Sequence, residues 1–430
     1  MNSEADRPSR GVLAALAVLT LINLFNYLDR YVVSALAESL KGPPLGLRDA
    51  ELGGLMTGFV IVYMLTSPLF GSMGDRSARP RLIAIGVAIW SLATVLGGLA
   101  QSYPALFAAR AMVGVGEAAY GTIAPALLAD YFPKRMRGRV FAVFFSAIPI
   151  GSAAGYVLGG FVDQHYGWRA AFFVAGAPGL LLSFLAARLV DPPRGGQDQG
   201  EDGEEPEGAT PGLHPPVRGI VAAYRDLFRN APYRLTVLGY AAYTFALGAL
   251  AFWMPSFLER VRGVPKGEAT VVFGSIVVVT GFVGTFVGGW LGDFGLRWTK
   301  QSYLWVSGVA TLLAVPAAIV AFTAASRPVY LTGVVAAELL LFVSTGPVNS
   351  AIVSVVAPEE RATAVALSIL TIHLLGDVPS PPLIGAISDR TSLGSAFRIL
   401  PLAIGIAGSI WIWAAWKGGR AIRRVPAAAG

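Results

Sequence analysis

The chain has 430 residues, of which 54% are hydrophobic and only 14% charged, with a mean hydropathy of +0.61 and a formal net charge of +7. That composition excludes an ordinary soluble domain. There is no cysteine, which excludes disulfide and thiol chemistry, and the three histidines, His165, His214 and His373, have no metal-ligand spacing, so no metal is expected.

The apolar residues gather into twelve blocks of about twenty residues, each the length at which a helix crosses a hydrocarbon layer roughly 30 Å thick. Helices close their own backbone hydrogen bonds, which lipid cannot do for them. The blocks predict spans near 11–36, 52–74, 81–100, 104–129, 139–162, 168–190, 235–258, 268–292, 300–323, 328–356, 361–387 and 395–417. The first is too long for a signal peptide, lacks a small-residue cleavage site and carries several polar residues, so it reads as a retained helix. The expected fold class is an all-α membrane protein.

Within the first span, "FNYLDRYVVSAL" places Asn26 and Arg30 four residues apart on one helix face, with Asn26 three before Asp29 and Tyr27 three before Arg30. The fourth span, "PALFAARAMVGVGEAAYGTIAPALL", adds Arg110 and Glu117, seven apart and so two turns along one face, with Tyr120 beside Glu117. A charge at bilayer depth costs about 2.5–3.5 kcal/mol on insertion scales unless it is paired or wet. Two acids and two bases can neutralise one another, which leaves two readings. Either the four form a buried cluster that positions the first helix against the fourth, or they line a water-filled cavity and exchange partners.

Where the second span meets the third, "GSMGDRSARPR" (71–81) combines Gly71 and Gly74, which allow close helix approach, with Asp75, Arg76, Arg79 and Arg81, which can form interfacial charge pairs. The fifth span spaces Gly151, Gly155 and Gly159 by four, a small-residue stripe suited to backbone-to-backbone packing. From Asp191 to about Pro232 the apolar pattern gives way to Gly, Pro and acid, and seven acids against Arg194 between 191 and 210 make a self-repelling linker.

The linker separates six spans from six and implies three parts: a bundle over 1–190, a cytoplasmic linker over 191–232 and a second bundle over 233–430. The halves repeat. An ungapped offset of 225 superposes Pro133 on Pro358, Gly151 on Gly376 and Gly160 on Gly385, and an offset of 218 places "GSMGD" on "GWLGD". Such internal repeats mark transporters, with substrate expected near the membrane midplane. With both termini inside, 22 of the 33 Lys and Arg fall in cytoplasmic segments and 9 in the opposite loops, the positive-inside bias. The basic character then reflects topology and anionic lipid headgroups, not nucleic acid.

The seventh span offers aromatics where the first has charges: Tyr240, Tyr243, Phe245 and Trp253 could wall an apolar cavity and accept an acyl chain, although aromatics at helical spacing are more often packing, and Trp253 also suits an interface anchor. Glu338 in the tenth span and His373 with Asp377 in the eleventh are further polar groups, and Pro381 and Pro382 in "SPPLIG" predict a kink.

The 71–81 loop resembles the signature of the major facilitator superfamily, with Pro80 inserted before the last basic residue; the second copy, "GGWLGDFGLRWTK", keeps Asp293 and Arg297 but has Phe294 where Arg is expected. "NYLDRYVVSAL", with Arg110 and Glu117, resembles the Spinster branch, most specifically over 23–36, 71–81 and 110–140. The resemblance implies two pseudo-symmetric six-helix bundles, a cytoplasmic gate at Gly71, Asp75, Arg76 and Arg79, and a proton-coupled, lipid-like substrate such as sphingosine-1-phosphate or a lysophospholipid.

By chemistry, Arg30 is the anion partner, since its planar fork matches phosphate or carboxylate. Asp29 and Glu117 are the candidate proton carriers: a buried carboxylate that loses its guanidinium partner carries uncompensated charge that a proton neutralises. Asn26, Tyr27, Arg110, Tyr120, Tyr243 and Phe245 complete the expected substrate site. The expectation is a monomeric secondary transporter driven by a proton gradient, without a cofactor. The competing reading is proton-driven efflux of amphiphilic drugs, with Glu117 and Asp29 holding a cation. No nucleophile with a base and no metal set supports an enzyme. Arg outnumbers Lys 28 to 5, which points to a bacterial inner membrane with both termini cytoplasmic.

Overall fold

The computed structural model describes residues 9–194, 220–356 and 361–423; most of the acidic linker, 195–219, lies outside the described residues. Among these the regular structure is helical, with no strand, and twelve helices are long and apolar enough to cross a membrane. The protein is a multi-pass integral membrane protein. In chain order the elements are α1 (Arg10–Leu40), α2 (Asp49–Arg76), α3 (Arg79–Gly98), α4 (Tyr103–Tyr131), α5 (Lys134–Tyr166), α6 (Trp168–Ala187), α7 (Ile220–Arg229), α8 (Ala231–Arg260), α9 (Glu268–Gly295), α10 (Ser302–Thr323), α11 (Arg327–Ser354), α12 (Arg361–Ile372), α13 (Ser380–Arg390), α14 (Leu393–Ala396) and α15 (Leu400–Arg423).

Local chemistry sets several helix starts. Ser9 accepts from the Val12 amide at the head of α1, and Asn230 from the Tyr233 amide at the head of α8. Prolines occupy the first turns of α3, α4, α8 and α11, where their missing N–H leaves no bond unmade.

The chain forms two compact units: Met1–Leu47 with Gly54–Leu213 and Pro265–Gly274, and Arg48–Gly53 with His214–Val264 and Ser275–Gly430. The six-and-six division of the sequence is therefore modified by two short segments. The head of α2 is counted with the second unit, and the head of α9 with the first.

In the first unit α1 lies along α5, and α3 packs on α4 and α6. The glycine stripe explains the first contact. A Cβ on Gly151 would strike the Leu24 carbonyl, one on Gly155 the Leu28 carbonyl, and one on Gly159 the side chains of Val32 and Ala35. The repeat partner of Gly151, Gly376, has the matching role in the second unit, against the Ala241 carbonyl and Thr244 of α8.

In the second unit α10 packs on α11 and α15, and α8 on α15. The amphipathic α7 sets Leu227 into a cluster with Tyr233, Val237, Ile352, Ala364 and Leu367, holding the ends of α8, α11 and α12 together. The eleventh span is interrupted. α12 ends in a π-helical turn, His373–Asp377, and the helix resumes at Ser380 with Pro381 and Pro382 in its first turn. The irregularity thus precedes the proline pair that sequence reasoning chose, because those prolines fit a helix start and the π turn absorbs the break. Trp253 is not an interface anchor: it is fully buried and donates its Nε1–H to the Pro381 carbonyl at 2.9 Å.

Candidate functional site

The chemistry of the first unit centres on α1 and α4. Glu117 is wholly buried in α4 and accepts from Arg30 Nη2 through Oε2 at 2.6 Å. Its other oxygen, Oε1, finds no hydrogen bond among the described residues, and neither does Arg30 Nε. The Arg30 guanidinium lies over three rings, Tyr27 at 4.8 Å, Phe59 at 5.0 Å and Tyr63 at 5.5 Å. Aromatic faces stabilise a cation that has left water, so α2 shares in holding this charge.

Asp29 turns elsewhere. It is buried, accepts from Arg110 Nη1 at 3.2 Å and from the Thr94 hydroxyl of α3 at 2.7 Å, and thereby ties α1 to α3 and α4. The four charged groups therefore form two pairs, Arg30–Glu117 and Arg110–Asp29.

The first pair opens on space. A cavity of about 90 Å³ is lined by Asn26, Tyr27, Arg30, Glu117 and Tyr120, together with Tyr63 and Asn23, while Asp29 and Arg110 are not part of its wall. Asn26 Nδ2 is buried and finds no acceptor among the described residues. The Tyr120 hydroxyl is committed to the Leu19 carbonyl at 2.7 Å, and Asn23 Nδ2 to the Phe144 carbonyl at 3.0 Å, so these two contribute wall rather than free donors.

Sequence reasoning missed Thr94, Phe59 and Tyr63. Thr94 and Tyr63 are polar groups in mid-span, and their depth, matched to that of Asp29 and Arg30, is the signal that could have found them.

At the other end of α2 and α3, Arg79 is buried and forms the centre of a network. Its guanidinium pairs with Asp130 of α4, donates through Nε to Asp191 at 2.8 Å and reaches the Pro192 carbonyl, while Asp191 also accepts the Arg79 backbone N–H at 2.9 Å. Arg194 Nη2 donates to the last-turn carbonyl of Gly74 at 2.8 Å and to the carbonyl of Ser77 at 3.0 Å. Gly71, Gly74, Arg79, Asp130 and Arg194 line a cavity of about 290 Å³, and Arg76 is exposed nearby. The Asp75 side chain lies outside the described residues.

In the second unit Tyr243 is buried, its hydroxyl bonded to the Leu341 carbonyl at 2.8 Å and its ring packed on Trp411 at 5.6 Å. Phe245 is half-buried on the same helix. His373 and Asp377 face one another at 2.9 Å across the π turn. Glu338 is buried in α11 without an ion pair among the described residues.

The Major Facilitator Superfamily model matches residues 19–376. Protein spinster homolog 3 of Danio rerio is 35% identical over 399 residues, spanning 88% of this chain and 77% of the relative. The chain belongs to the Spinster family of the major facilitator superfamily. It is a membrane transporter and not an enzyme. Another family member, the sphingosine-1-phosphate transporter SPNS2 of Xenopus tropicalis, is 31% identical over 447 residues, spanning 96% of this chain and 84% of its own length. The fold matches a crystal structure of a bacterial homolog to human lysosomal transporter, Spinster, in an inward-facing and unoccupied conformation, with a TM-score of 0.84, 25% identity and coverage of 96% of this chain and 98% of that one. The occupied inward-facing structure gives a TM-score of 0.76 at 25% identity, covering 97% of each chain.

Proposed function

We propose that this Spinster-family protein is a proton-coupled secondary transporter of an amphiphilic anionic lipid, a lysophospholipid or sphingosine-1-phosphate, working by alternating access. The observation that carries the reading is the Arg30–Glu117 pair in a cavity wall, with one carboxylate oxygen and one guanidinium N–H left without a hydrogen bond. An anionic headgroup arriving at Arg30 competes with Glu117 for the guanidinium. The displaced carboxylate, buried in α4, then takes up a proton, and release of both the lipid and the proton on the other side restores the pair. Anion and proton are thus coupled by competition for one side chain. Asp29 holds Arg110 and Thr94 apart from this exchange and serves as the second proton carrier only if that pair also opens.

Related proteins named as sphingosine-1-phosphate transporters support the substrate class. The protein works as a monomer among membrane lipids, with both termini cytoplasmic, in a bacterial inner membrane. The cytoplasmic gate is the stretch from Gly71, in the last turns of α2, to Arg79 at the head of α3, braced through Arg79.

The test is uptake of labelled lysophospholipid, and separately of sphingosine-1-phosphate, into proteoliposomes with and without an imposed pH gradient. Wild type should accumulate one of them only with the gradient, and Glu117→Gln and Arg30→Ala should abolish accumulation. Transport unchanged in both variants would reduce the pair to a structural role. Transport of cationic amphiphiles that survives Arg30→Ala would favour drug efflux.

A further inference from the structure

In the first unit a cavity of about 510 Å³ lies between the end of α3 and the start of α4, and it shares no wall residue with the one at Arg30 and Glu117. Small side chains of α4, Ala105, Ala108 and Ala109, make its floor, and Leu96, Leu99 and Met112 flank them. Those three large residues are exposed, so the cavity is an open groove on the surface of the unit. By the parity of the spans it begins at the membrane face opposite the chain termini. Met112 follows Ser102 by ten residues, about 15 Å along a helix, so the groove reaches roughly one leaflet deep.

The rim of the groove is polar and positive. Gln101 and Ser102 line it. At the start of α6, Arg169 donates through Nη2 to the carbonyl of Ala100, a wall residue, at 3.0 Å, and its guanidinium lies over the Trp168 ring at 4.0 Å. Among the described residues no carboxylate pairs with Arg169. The positive-inside bias does not account for a cation held at this face. Ser102 adds to the field, since it begins the long α4 without a side-chain cap and leaves the positive end of that helix open.

Behind the groove stands Asp29. Ala93 and Ala109 are wall residues, and the residues that follow them, Thr94 and Arg110, turn inward to hold Asp29 at 2.7 and 3.2 Å.

We infer that this groove holds one resident anionic phospholipid of the leaflet opposite the termini, its phosphate on Arg169 and an acyl chain along the alanine floor, and that the bound lipid clamps α3 to α4 behind Asp29. The trough alone would also suit a helix from a second copy of the chain. The charge of the rim decides between them: a guanidinium without an acid partner, beside an open helix start, is complementary to a phosphate and not to an apolar helix. A chain seated between Leu96 and Met112 touches both helices. It therefore favours the α3–α4 spacing at which Thr94 and Arg110 both reach Asp29, and by reciprocity those contacts favour the lipid.

The test is titration of delipidated, purified protein with phosphatidylglycerol and, separately, phosphatidylcholine, read by native mass spectrometry. It makes no assumption about the transported substrate. Wild type should hold one phosphatidylglycerol about tenfold more tightly than phosphatidylcholine, the scale of one charge-assisted contact. Arg169→Gln should remove most of that preference and leave phosphatidylcholine unchanged. Ala108→Trp, an exposed position that fills the floor, should weaken both lipids several-fold, whereas Leu181→Trp, exposed on α6 outside the groove, should change neither. Thr94→Val touches Asp29 and not the groove wall, and should weaken phosphatidylglycerol several-fold through the clamp.

Wild-type phosphatidylglycerol binding in both Arg169→Gln and Ala108→Trp would overturn the site. A wild-type dimer in light scattering that Ala108→Trp splits, with lipid binding unaltered, would overturn it as well and give the groove to a second copy. Wild-type affinity in Thr94→Val would overturn the clamp. Melting of each variant without lipid checks that it is folded.

Discussion

Asp29 and Arg30 are adjacent in the chain and belong to different ion pairs. Asp29 reaches Arg110 and Thr94, while Arg30 reaches Glu117 and the rings of Tyr27, Phe59 and Tyr63. Successive residues on a helix point about 100° apart, so one turn of α1 sends an acid and a base to separate partners. One pair is sealed and the other faces the cavity. That division separates a positioning pair from a working pair.

The working pair gives the first prediction. Glu117→Gln keeps the size of the side chain and removes its charge, so Arg30 loses a charge-assisted bond of about 1.5–3 kcal/mol. Lipid should still bind, with similar or higher affinity, since its competitor for Arg30 is gone. Gradient-driven accumulation should be lost, and any remaining exchange should no longer respond to pH. Binding and uptake measured on the same preparation check this.

Arg30→Lys should fail almost as fully as Arg30→Ala. Lysine offers a point charge without the planar fork and stacks less well over Tyr27 and Phe59. We expect anionic lipid affinity to fall about tenfold or more in both, from the loss of a bidentate charge-assisted contact. Titration of purified protein with lysophospholipid should show it. Retention of wild-type affinity in Arg30→Lys would mean that only net charge matters there.

The sealed pair should behave differently. Arg110→Leu strands Asp29 as a buried carboxylate, a change that costs about 3–5 kcal/mol when a buried pair is broken on one side. Adding Asp29→Asn removes the stranded charge and leaves the Thr94 contact available. Thermal unfolding in detergent should therefore show a large loss for the single variant and a substantial recovery for the double one. Simple additivity of the two substitutions would contradict the pairing.

Much of this arrangement was legible in the sequence, for identifiable reasons. Spans of about twenty apolar residues admit one interpretation in a bilayer, and Asp29, Arg30, Arg110 and Glu117 are conspicuous because insertion makes each of them costly. The partition of those four into pairs was not legible, because it depends on where α2 and α3 bring Tyr63, Phe59 and Thr94. Tyr243 illustrates a different limit. Its spacing suited a cavity wall, yet its hydroxyl is spent on the Leu341 carbonyl, a commitment that only the packing of α8 on α11 reveals. The exchanged heads of α2 and α9 were equally hidden: Asp49 reads as an ordinary acidic residue at a helix start, and its contacts with Arg260 and Ser388 span more than two hundred residues of sequence.

The Arg79 network yields the last prediction. Arg79 binds Asp130 and Asp191, while the Tyr131 hydroxyl holds the Val190 carbonyl, so the segment leaving α6 is strapped to the ends of α3 and α4. Arg79→Gln removes the charge that both carboxylates share. Amide hydrogen exchange at Leu189, Val190 and Asp191 should speed up by an order of magnitude or so, the effect of losing about 1.4 kcal/mol of local protection. Arg76→Gln, at the exposed end of α2, should leave that segment unchanged. Equal exchange in the two variants would show that the strap is held by Tyr131 and Arg194 alone, and that Arg79 acts only on Asp130.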